Sequence, residues 1–272
     1  DVTLIARGDH LAAIQDRGLL YKTPDQSMHL PIPAVSHPRE IKFHGDEVVI
    51  LTMKTQHTEA ALEDLRLAAG DEIPLFCCQN GVANERMALR RFQNVHAMMV
   101  YLPAILLDPG SVLAHAARKS GVLDASIYPT GSNDLVDEVT GTLDGVNFSA
   151  RPNPTVMRFK YGKLIMNLGN ALAAVSPPGD EADAIRTQMR AEAEACIHAA
   201  GIDCASQAEE KARRGDLMKS ASVEGETRGG GSSWQSLMRG TGNIEADYLN
   251  GEIALLGRLH SVATPANITL QR

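Results

Sequence analysis

The first half of the chain alternates short apolar runs with amphipathic segments. Apolar runs that predict buried strands lie at residues 2–6, 48–53 and 73–78. Segments that predict helices follow them at 10–17, 58–69 and 83–92, and Gly18 and Gly70 end the first two. Strands that alternate with helices predict a parallel sheet with right-handed crossovers. The β-branched run at 48–53 is typical of a strand that is covered on both faces.

The pattern changes twice further along the chain. Residues 95–149 contain apolar runs separated by Pro and Gly turns, which predicts an antiparallel extension of the same sheet. Beyond the Arg151-Pro-Asn-Pro154 segment, helix formers predict helices at 155–175, 180–200, 207–220 and 243–259, with a last helix from Thr264 and a flexible loop at 221–233. The predicted fold class is therefore α/β plus all-α, with a doubly wound sheet at residues 1–152 and a helical domain at residues 153–272.

Composition excludes several classes of function. The 272 residues include 26 Lys and Arg against 33 Asp and Glu, a net charge of −7, which excludes a broad basic surface for nucleic acid or an anionic membrane. No apolar run approaches the ~20 residues of a membrane span. The four cysteines form no C-x-x-C pair, and the nine histidines form no H-E-x-x-H pattern. We expect a cytoplasmic protein without a structural metal.

Polar residues follow three of the apolar runs directly. They are Arg7, Lys54 and the Gln79-Asn80-Gly81 segment. Any one of them alone is typical of an ordinary turn, but a doubly wound sheet binds its ligands beyond the carboxyl ends of its strands. An Arg after the second strand of a dinucleotide fold accommodates a 2′-phosphate, so Arg7 favours NADP(H). The first strand and its G-x-G-x-x-G turn are then expected about 20 residues upstream, before the first residue of this sequence.

A second candidate cluster lies on the predicted helix at 155–175. Lys163 and Asn167 are four residues apart and share a helix face, and Asn170 lies one turn further along. This spacing is equally typical of a solvated stripe. As a ligand face, it would present a partly desolvated lysine, whose lowered pKa suits it to protonate a developing alkoxide. The two carboxamides would hold a keto acid by hydrogen bonds.

A third cluster combines Ser232 and Ser233 with Glu245, in the first turn of the helix predicted at 243–259. We expect Asn243 or Thr241 to cap that helix, which places a carboxylate favourably whatever its role.

Together these segments resemble the ketopantoate reductase (2-dehydropantoate 2-reductase) family. The stretch from Val2 to Leu11 resembles its second strand and 2′-phosphate Arg. Residues 161–167, Tyr-Gly-Lys-Leu-Ile-Met-Asn, are similar to its W-x-K-L-x-x-N helix, and residues 232–251 are similar to its S-x-x-Q…E-I-D-x-x-N-G segment. The resemblance covers nearly the whole chain in order and spacing. It implies a Rossmann-like NADP-binding domain at 1–152 and a helical substrate domain at 153–272.

The resemblance also implies a reaction and its residues. NADPH would reduce 2-dehydropantoate to pantoate, a step of pantothenate and coenzyme A biosynthesis, and the protein would be a homodimer. Lys163 would be the general acid and Glu245 would bind the distal hydroxyl of the substrate. The remaining roles implied are substrate binding by Asn80, Asn167, Asn170, Ser232 or Ser233, and cofactor binding by Arg7, Lys54, Asn80 and Glu245.

Three departures from the family pattern keep alternatives open. Tyr161 replaces a Trp, Ala246 stands where an Ile is common, and Asn170 lies one place before the usual second Asn, where this chain has Ala171. That shift rotates a carboxamide by about 100° on a helix. The alternatives are a family member that reduces another 2-keto acid, a β-hydroxyacid dehydrogenase, an NADP-sensing binding protein, or an α/β protein whose polar strand ends are merely turns. A sensor needs no acid, so Lys163 together with Glu245 favours an enzyme.

Overall fold

The computed structural model describes residues 1–225, 229–240 and 242–272. Ten strands lie within these residues: β1 (Leu4–Ile5), β2 (Leu19–Lys22), β3 (Ser27–Leu30), β4 (Ala34–Val35), β5 (Val49–Leu51), β6 (Leu75–Cys77), β7 (Val95–Tyr101), β8 (Ala104–Ile105), β9 (Ser111–Ala114) and β10 (Val122–Ile127). The α-helices there are α1 (Gly8–Arg17), α2 (Thr58–Ala69), α3 (Asn84–Leu89), α4 (Asp134–Gly145), α5 (Val156–Asn167), α6 (Gly169–Val175), α7 (Asp180–Ala199), α8 (Gln207–Arg214), α9 (Ser232–Met238), α10 (Asn250–His260) and α11 (Pro265–Gln271).

The main sheet has the strand order β10-β7-β6-β5. Strands β5, β6 and β7 are parallel, and β10 is antiparallel to β7. Helices cover both faces of this sheet, as the alternation of strand and helix predicts. Leu75 and Cys77 pack against α2 and α3, whereas Phe76, Met98 and Ala125 pack against α4 on the opposite face. The Rossmann-like, doubly wound character of the first half is thereby confirmed.

Two smaller sheets accompany the main one. Strand β1 pairs in parallel with β4, and a four-stranded sheet has the order β3-β2-β9-β8. The sequence pattern did not predict this second sheet, because β2 and β3 are half-buried strands without a continuous apolar run.

Two expectations for the first half are wrong in part. The strand at 48–53 is not covered on both faces. Ile50 lies on β5, at the edge of the main sheet, opposite Phe76 of β6, and its side chain is 38% exposed. Residues 95–149 do include the antiparallel β7–β10 pair, but they also contain α4. Asn133 caps α4 by accepting a hydrogen bond from the Val136 N–H. The sequence pattern did not predict this helix start, because the Pro and Gly residues nearby are typical of turns between strands.

The second half is helical, as predicted, with differences in three of its elements. The helix expected at 155–175 is divided at Leu168 into α5 and α6. The helix expected at 207–220 ends at Arg214 and continues as a 3-10 helix, Gly215–Met218. The segment expected at 243–259 is a 3-10 helix, Glu245–Tyr248, followed by α10.

The loop expected at 221–233 contains residues 226–228, which lie outside the described residues, and α9 begins at its end. A shared core joins α5, α7 and α10 through Leu164, Cys196 and Ile253.

A buried ion pair ties the two halves together. Asp124 of β10 is fully buried, and the guanidinium of Arg213 on α8 donates to its two carboxylate oxygens at 2.6 Å and 2.5 Å. The same guanidinium donates to the hydroxyl and the carbonyl of Ser149. Among the described helices, none combines the length and the apolar character that crossing a bilayer requires.

Candidate active site

A polar strand end of the main sheet, at Lys54, contacts the second half of the chain. Lys54 follows β5, and its ammonium donates a hydrogen bond to the hydroxyl of Ser236 on α9. Partial burial lowers the pKa of Lys54, the carboxylate of Glu245 opposes that change, and the positive charge of Arg239 adds to it. The predicted strand-end residue Lys54 therefore lies within electrostatic range of the predicted site residue Glu245.

Glu245 is buried and held by the residue that follows Lys54. Its Oε1 accepts hydrogen bonds from the Thr55 N–H at 3.0 Å and from the Thr55 hydroxyl at 3.2 Å. Ile244 precedes the 3-10 helix that carries Glu245, and no side chain caps it. The capping role expected for Asn243 is therefore wrong, since its Oδ1 accepts from Gln56 instead.

Thr241, the other expected cap, lies outside the described residues.

Lys163 of α5 faces the open edge of β7. Its ammonium donates to the Val100 carbonyl and lies 5.0 Å from the centre of the Tyr101 ring. Burial lowers the pKa of Lys163 to about 7, with smaller effects from nearby charges that include Glu245. The side chain thus exists as both ammonium and amine near neutral pH, which is the condition that a general acid or base requires.

Three carboxamides predicted to bind ligand have free hydrogen-bonding capacity. Within the described residues, the side chains of Asn80, Asn167 and Asn170 form no hydrogen bond. Asn80 follows β6, and its backbone carbonyl accepts from Asn84. Asn170 lies on α6, beyond the division at Leu168, which itself has helical dihedral angles (φ −57°, ψ −33°).

The two candidate serines begin α9. Ser232 is half-buried and Ser233 is buried, directly after Gly231. The Asn170 Oδ1 is 3.3 Å from the position that a Cβ at Gly231 would occupy, so this carboxamide lies beside the start of α9.

Arg7 lies apart from this group. Its side chain is 62% exposed, and its guanidinium is 3.3 Å from the Asp64 carboxylate on α2. It lies two residues after the last residue of β1, Ile5, beyond the carboxyl end of that strand.

Two residues that hold the site together were not predicted: Thr55 binds Glu245, and Ser236 binds Lys54. Gln235, the Gln of the S-x-x-Q pattern, was given no role, and it joins α9 to β8 through the Leu106 N–H and the Ala104 carbonyl, both at 3.3 Å. The partner of each of these three residues lies in the other half of the chain, and sequence spacing carries no signal for such a contact.

The arrangement is suited to proton transfer to a small polar ligand. Lys163 can donate a proton, Glu245 and Lys54 can bind polar or anionic groups, and the unpartnered carboxamides can fix a carboxylate or carbonyl. No group of His, Cys, Asp and Glu side chains within the described ranges is arranged to hold a metal ion.

Comparison with known proteins identifies the family to which both halves of the chain belong. The family model described as "Ketopantoate reductase PanE/ApbA" matches residues 1–125, and the model of the C-terminal region of the same family matches residues 155–272. The chain belongs to the ketopantoate reductase family. Both its sheet-containing half and its helical half are therefore regions that ketopantoate reductases share.

Individual relatives of this ketopantoate reductase family member are distant. It is 28% identical to the 2-dehydropantoate 2-reductase of Pyrococcus horikoshii over 66% of this chain and 55% of the relative. It is also 28% identical to that of Mesorhizobium japonicum, over 52% of this chain and 42% of the relative. The chain thus spans about half the length of these curated relatives in the matches.

Solved structures match over almost the whole chain. A PanE/ApbA family ketopantoate reductase from Ralstonia eutropha JMP134 is 25% identical with a TM-score of 0.81, over 99% of this chain and 88% of that one. A D-mandelate dehydrogenase solved with NADH and anilino(oxo)acetate has the same TM-score and the same coverage at 20% identity. The second likeness shows the fold alone.

Proposed function

We propose that this protein reduces a small 2-keto acid to a 2-hydroxy acid with NADPH, and that the first substrate to test is 2-dehydropantoate. The observation that carries the proposal is the partly buried Lys163, which shares an electrostatic environment with Glu245 beside unpartnered carboxamides. Family membership supports the reaction class.

The residues present fit a nicotinamide cofactor. Lys54 and the Asn80 carboxamide lie at neighbouring carboxyl ends of parallel strands, the place where such sheets bind dinucleotides. Lys54 and Asn80 would hold the cofactor, and Arg7 would bind the 2′-phosphate of NADP(H) by exchanging its exposed contact with Asp64. When bound, the cofactor would supply a hydride.

The chain's own residues account for the rest of the reaction. The Lys163 ammonium donates its proton to the C2 oxygen of the substrate, so the C2 carbonyl gains one hydride and one proton to become a hydroxyl. Asn167, Asn170 and Ser232 or Ser233 hold the keto-acid end, and Glu245 accepts a hydrogen bond from the distal hydroxyl. Thr55 keeps the Glu245 carboxylate in place.

The substrate is tested by following NADPH oxidation at 340 nm with 2-dehydropantoate and a panel of other 2-keto acids. The panel includes phenylglyoxylate, because the D-mandelate dehydrogenase fold is equally similar. We expect the highest kcat/KM with 2-dehydropantoate. Faster turnover of another acid keeps the mechanism and changes the substrate. Cofactor binding without any turnover supports a sensor, and absence of binding contradicts the proposal.

The cofactor preference is tested with Arg7→Ala. Because a charge-assisted contact to the 2′-phosphate is lost, we expect the Kd for NADPH to rise about tenfold or more and the Kd for NADH to change little. Arg66→Ala is the matched control, since Arg66 is also an exposed arginine paired with a carboxylate, that of Glu63. Fluorescence titration of the nicotinamide gives both constants, and equal losses for both cofactors would refute the role of Arg7.

A homodimer and a cytoplasmic location are further proposals that rest on the family resemblance. Light scattering after size exclusion measures the first, and a monomer at micromolar concentration would exclude it.

A further inference from the structure

Lys160 lies one helical turn before Lys163 on α5 and is more deeply buried, at 3% exposure. Its ammonium, which has three N–H donors, lies within hydrogen-bond distance of four acceptors: the carboxylate of Glu85 and the backbone carbonyls of Cys77 at 3.0 Å, Gln79 at 3.1 Å and Met98 at 3.3 Å. A single buried cation therefore joins α5 to the end of β6, to β7 and to α3.

The acceptors on β7 are available because the strand pairing ends early. Strands β6 and β7 pair only as far as Cys77 and Ala97. Met98 and Val100 are two residues apart, so their carbonyls point to the same edge of β7. Lys160 donates to the first and Lys163 to the second. The two lysines of α5 thus occupy the edge of β7 where its pairing with β6 has ended.

Stability alone is a weak reason for the pair of Lys160 and Glu85. Glu85 is fully buried, and within the described part of the chain its Oε2 has no hydrogen-bond partner. Desolvation of two charges in the interior often cancels their attraction, so apolar residues of similar size would be about as stable. A buried charge placed one turn from Lys163 is instead well located to influence that residue.

We propose that Lys160 is a positioning residue for Lys163: anchored by Glu85 and by the carbonyls of Cys77, Gln79 and Met98, it fixes the turn of α5 that carries Lys163 and places its ammonium one helical turn away. This inference rests on the proposed function, because it concerns the acid of that reaction.

The charge of Lys160 acts among several others. The titratable and charged groups that surround Lys163 from the packed elements are Cys78 after β6, Tyr101 of β7, Glu210 and Arg214 of α8, and Glu245. Burial lowers the pKa of Lys163 first, and the positive charge of Lys160 lowers it further, whereas Cys78, Glu245 and Glu210 act in the opposite direction.

The test uses the double variant Lys160→Met/Glu85→Gln, which removes both charges and leaves no uncompensated carboxylate in the interior. The 15Nζ signal of Lys163 in lysine-labelled protein is titrated, and the pH profile of kcat/KM is recorded in parallel. We expect the Lys163 titration and the falling limb of the profile to move together to higher pH, because the charge of Lys160, which lowers the pKa of Lys163, is gone. Lys211→Met, an exposed lysine on α8, is the control and leaves both where they are.

The outcomes separate this inference from the proposed function. An unchanged Lys163 titration in a folded double variant overturns the role of Lys160, whatever the activity. If the Lys163 titration shifts but the protein turns over no 2-keto acid, the effect of Lys160 on Lys163 is supported and only the proposed function is overturned. A lower kcat with an unmoved titration would show a merely structural role and also overturns the inference.

Discussion

The surroundings of Lys163 bring the pKa of its ammonium close to neutral pH. Burial lowers its pKa to about 7, and the proposed reaction uses the protonated form. A lysine loses its proton as pH rises through its pKa. We therefore expect kcat/KM for the keto acid to fall tenfold for each pH unit above about 7, with full activity from this group below that pH.

Removing the acid tests the same residue directly. Lys163→Ala is expected to lower kcat by ~10²-fold or more and to abolish the falling limb of the pH profile, because Lys163 is the proton donor of the proposed reaction. Steady-state NADPH oxidation across pH 5–9 measures both effects. Lys211→Ala on the surface of α8 serves as the control, and a variant at Lys163 with near-normal turnover would contradict the assignment.

At the residue scale, the sequence predicted those site residues whose position follows from local rules. Lys54 and Asn80 follow buried strands, and Lys163 and Asn167 are spaced for one helix face. It did not predict Thr55 or Ser236, because their partners Glu245 and Lys54 are 190 and 182 residues away in the chain. It gave no role to Lys160, since burial against a strand edge is a tertiary property.

At the scale of elements, the bounds that follow from local sequence were predicted, and those that depend on tertiary contacts were not. Helix α2 has the predicted bounds, and Gly70 ends it with a φ of 78°, a conformation that favours glycine. Helix α9 was not predicted, because its seven residues lie within a stretch rich in Gly and Ser. Its place depends on side chains such as Gln235 that bind the backbone of β8.

A glycine on α5 provides a prediction at the scale of elements. A Cβ at Gly162 would lie 2.6 Å from the Glu210 Oε1 and 3.0 Å from the Ala205 carbonyl oxygen. Alanine is normally the better helix former, but here we expect Gly162→Ala to lower the free energy of unfolding by about 1–3 kcal/mol, because α8 must move away from α5.

The matched control is Gly141→Ala on α4, where an added Cβ meets nothing within 4 Å. That change is expected to raise the free energy of unfolding by about 0.5–1 kcal/mol. Urea unfolding followed by circular dichroism compares the two variants. If Gly162→Ala raised the free energy of unfolding, as Gly141→Ala is expected to do, the contact between α5 and α8 would not be as close as described.

At the scale of the whole molecule, the order of the halves and their fold classes were predictable, but the links between them were not. The helical composition beyond residue 154 indicated a second region, and periodicity indicated the sheet of the first. The pair of Asp124 and Arg213 joins residues 89 positions apart and has no local signature.

This pair gives a prediction about the stability of the assembled chain. Among the described residues, Arg213→Met leaves the fully buried Asp124 with the Arg151 guanidinium, 3.6 Å away, as its one cationic partner, so we expect the free energy of unfolding to fall by about 3–5 kcal/mol. Adding Asp124→Asn should recover part of that loss, since the uncompensated charge is gone. Equilibrium urea unfolding measures each variant.

Arg190→Met is the comparison for Arg213→Met, because Arg190 forms an exposed pair with Glu194 on α7. Its removal is expected to change the free energy of unfolding by less than about 1 kcal/mol. A loss as small as this in Arg213→Met would show that Asp124 is not held by that arginine alone.

The polar contacts around the site share a feature with consequences for evolution. Four side chains of the helical half donate hydrogen bonds to backbone carbonyls of the first half. The donors are Lys160, Lys163, Gln235 and Arg239, and the carbonyls are those of Cys77, Gln79, Met98, Val100, Ala104 and Leu106. A backbone carbonyl is retained whatever side chain the residue carries, so these six positions can drift without breaking the contacts. Side chains can therefore change at these six positions without loss of the acceptors, provided that the four side chains of the helical half are kept.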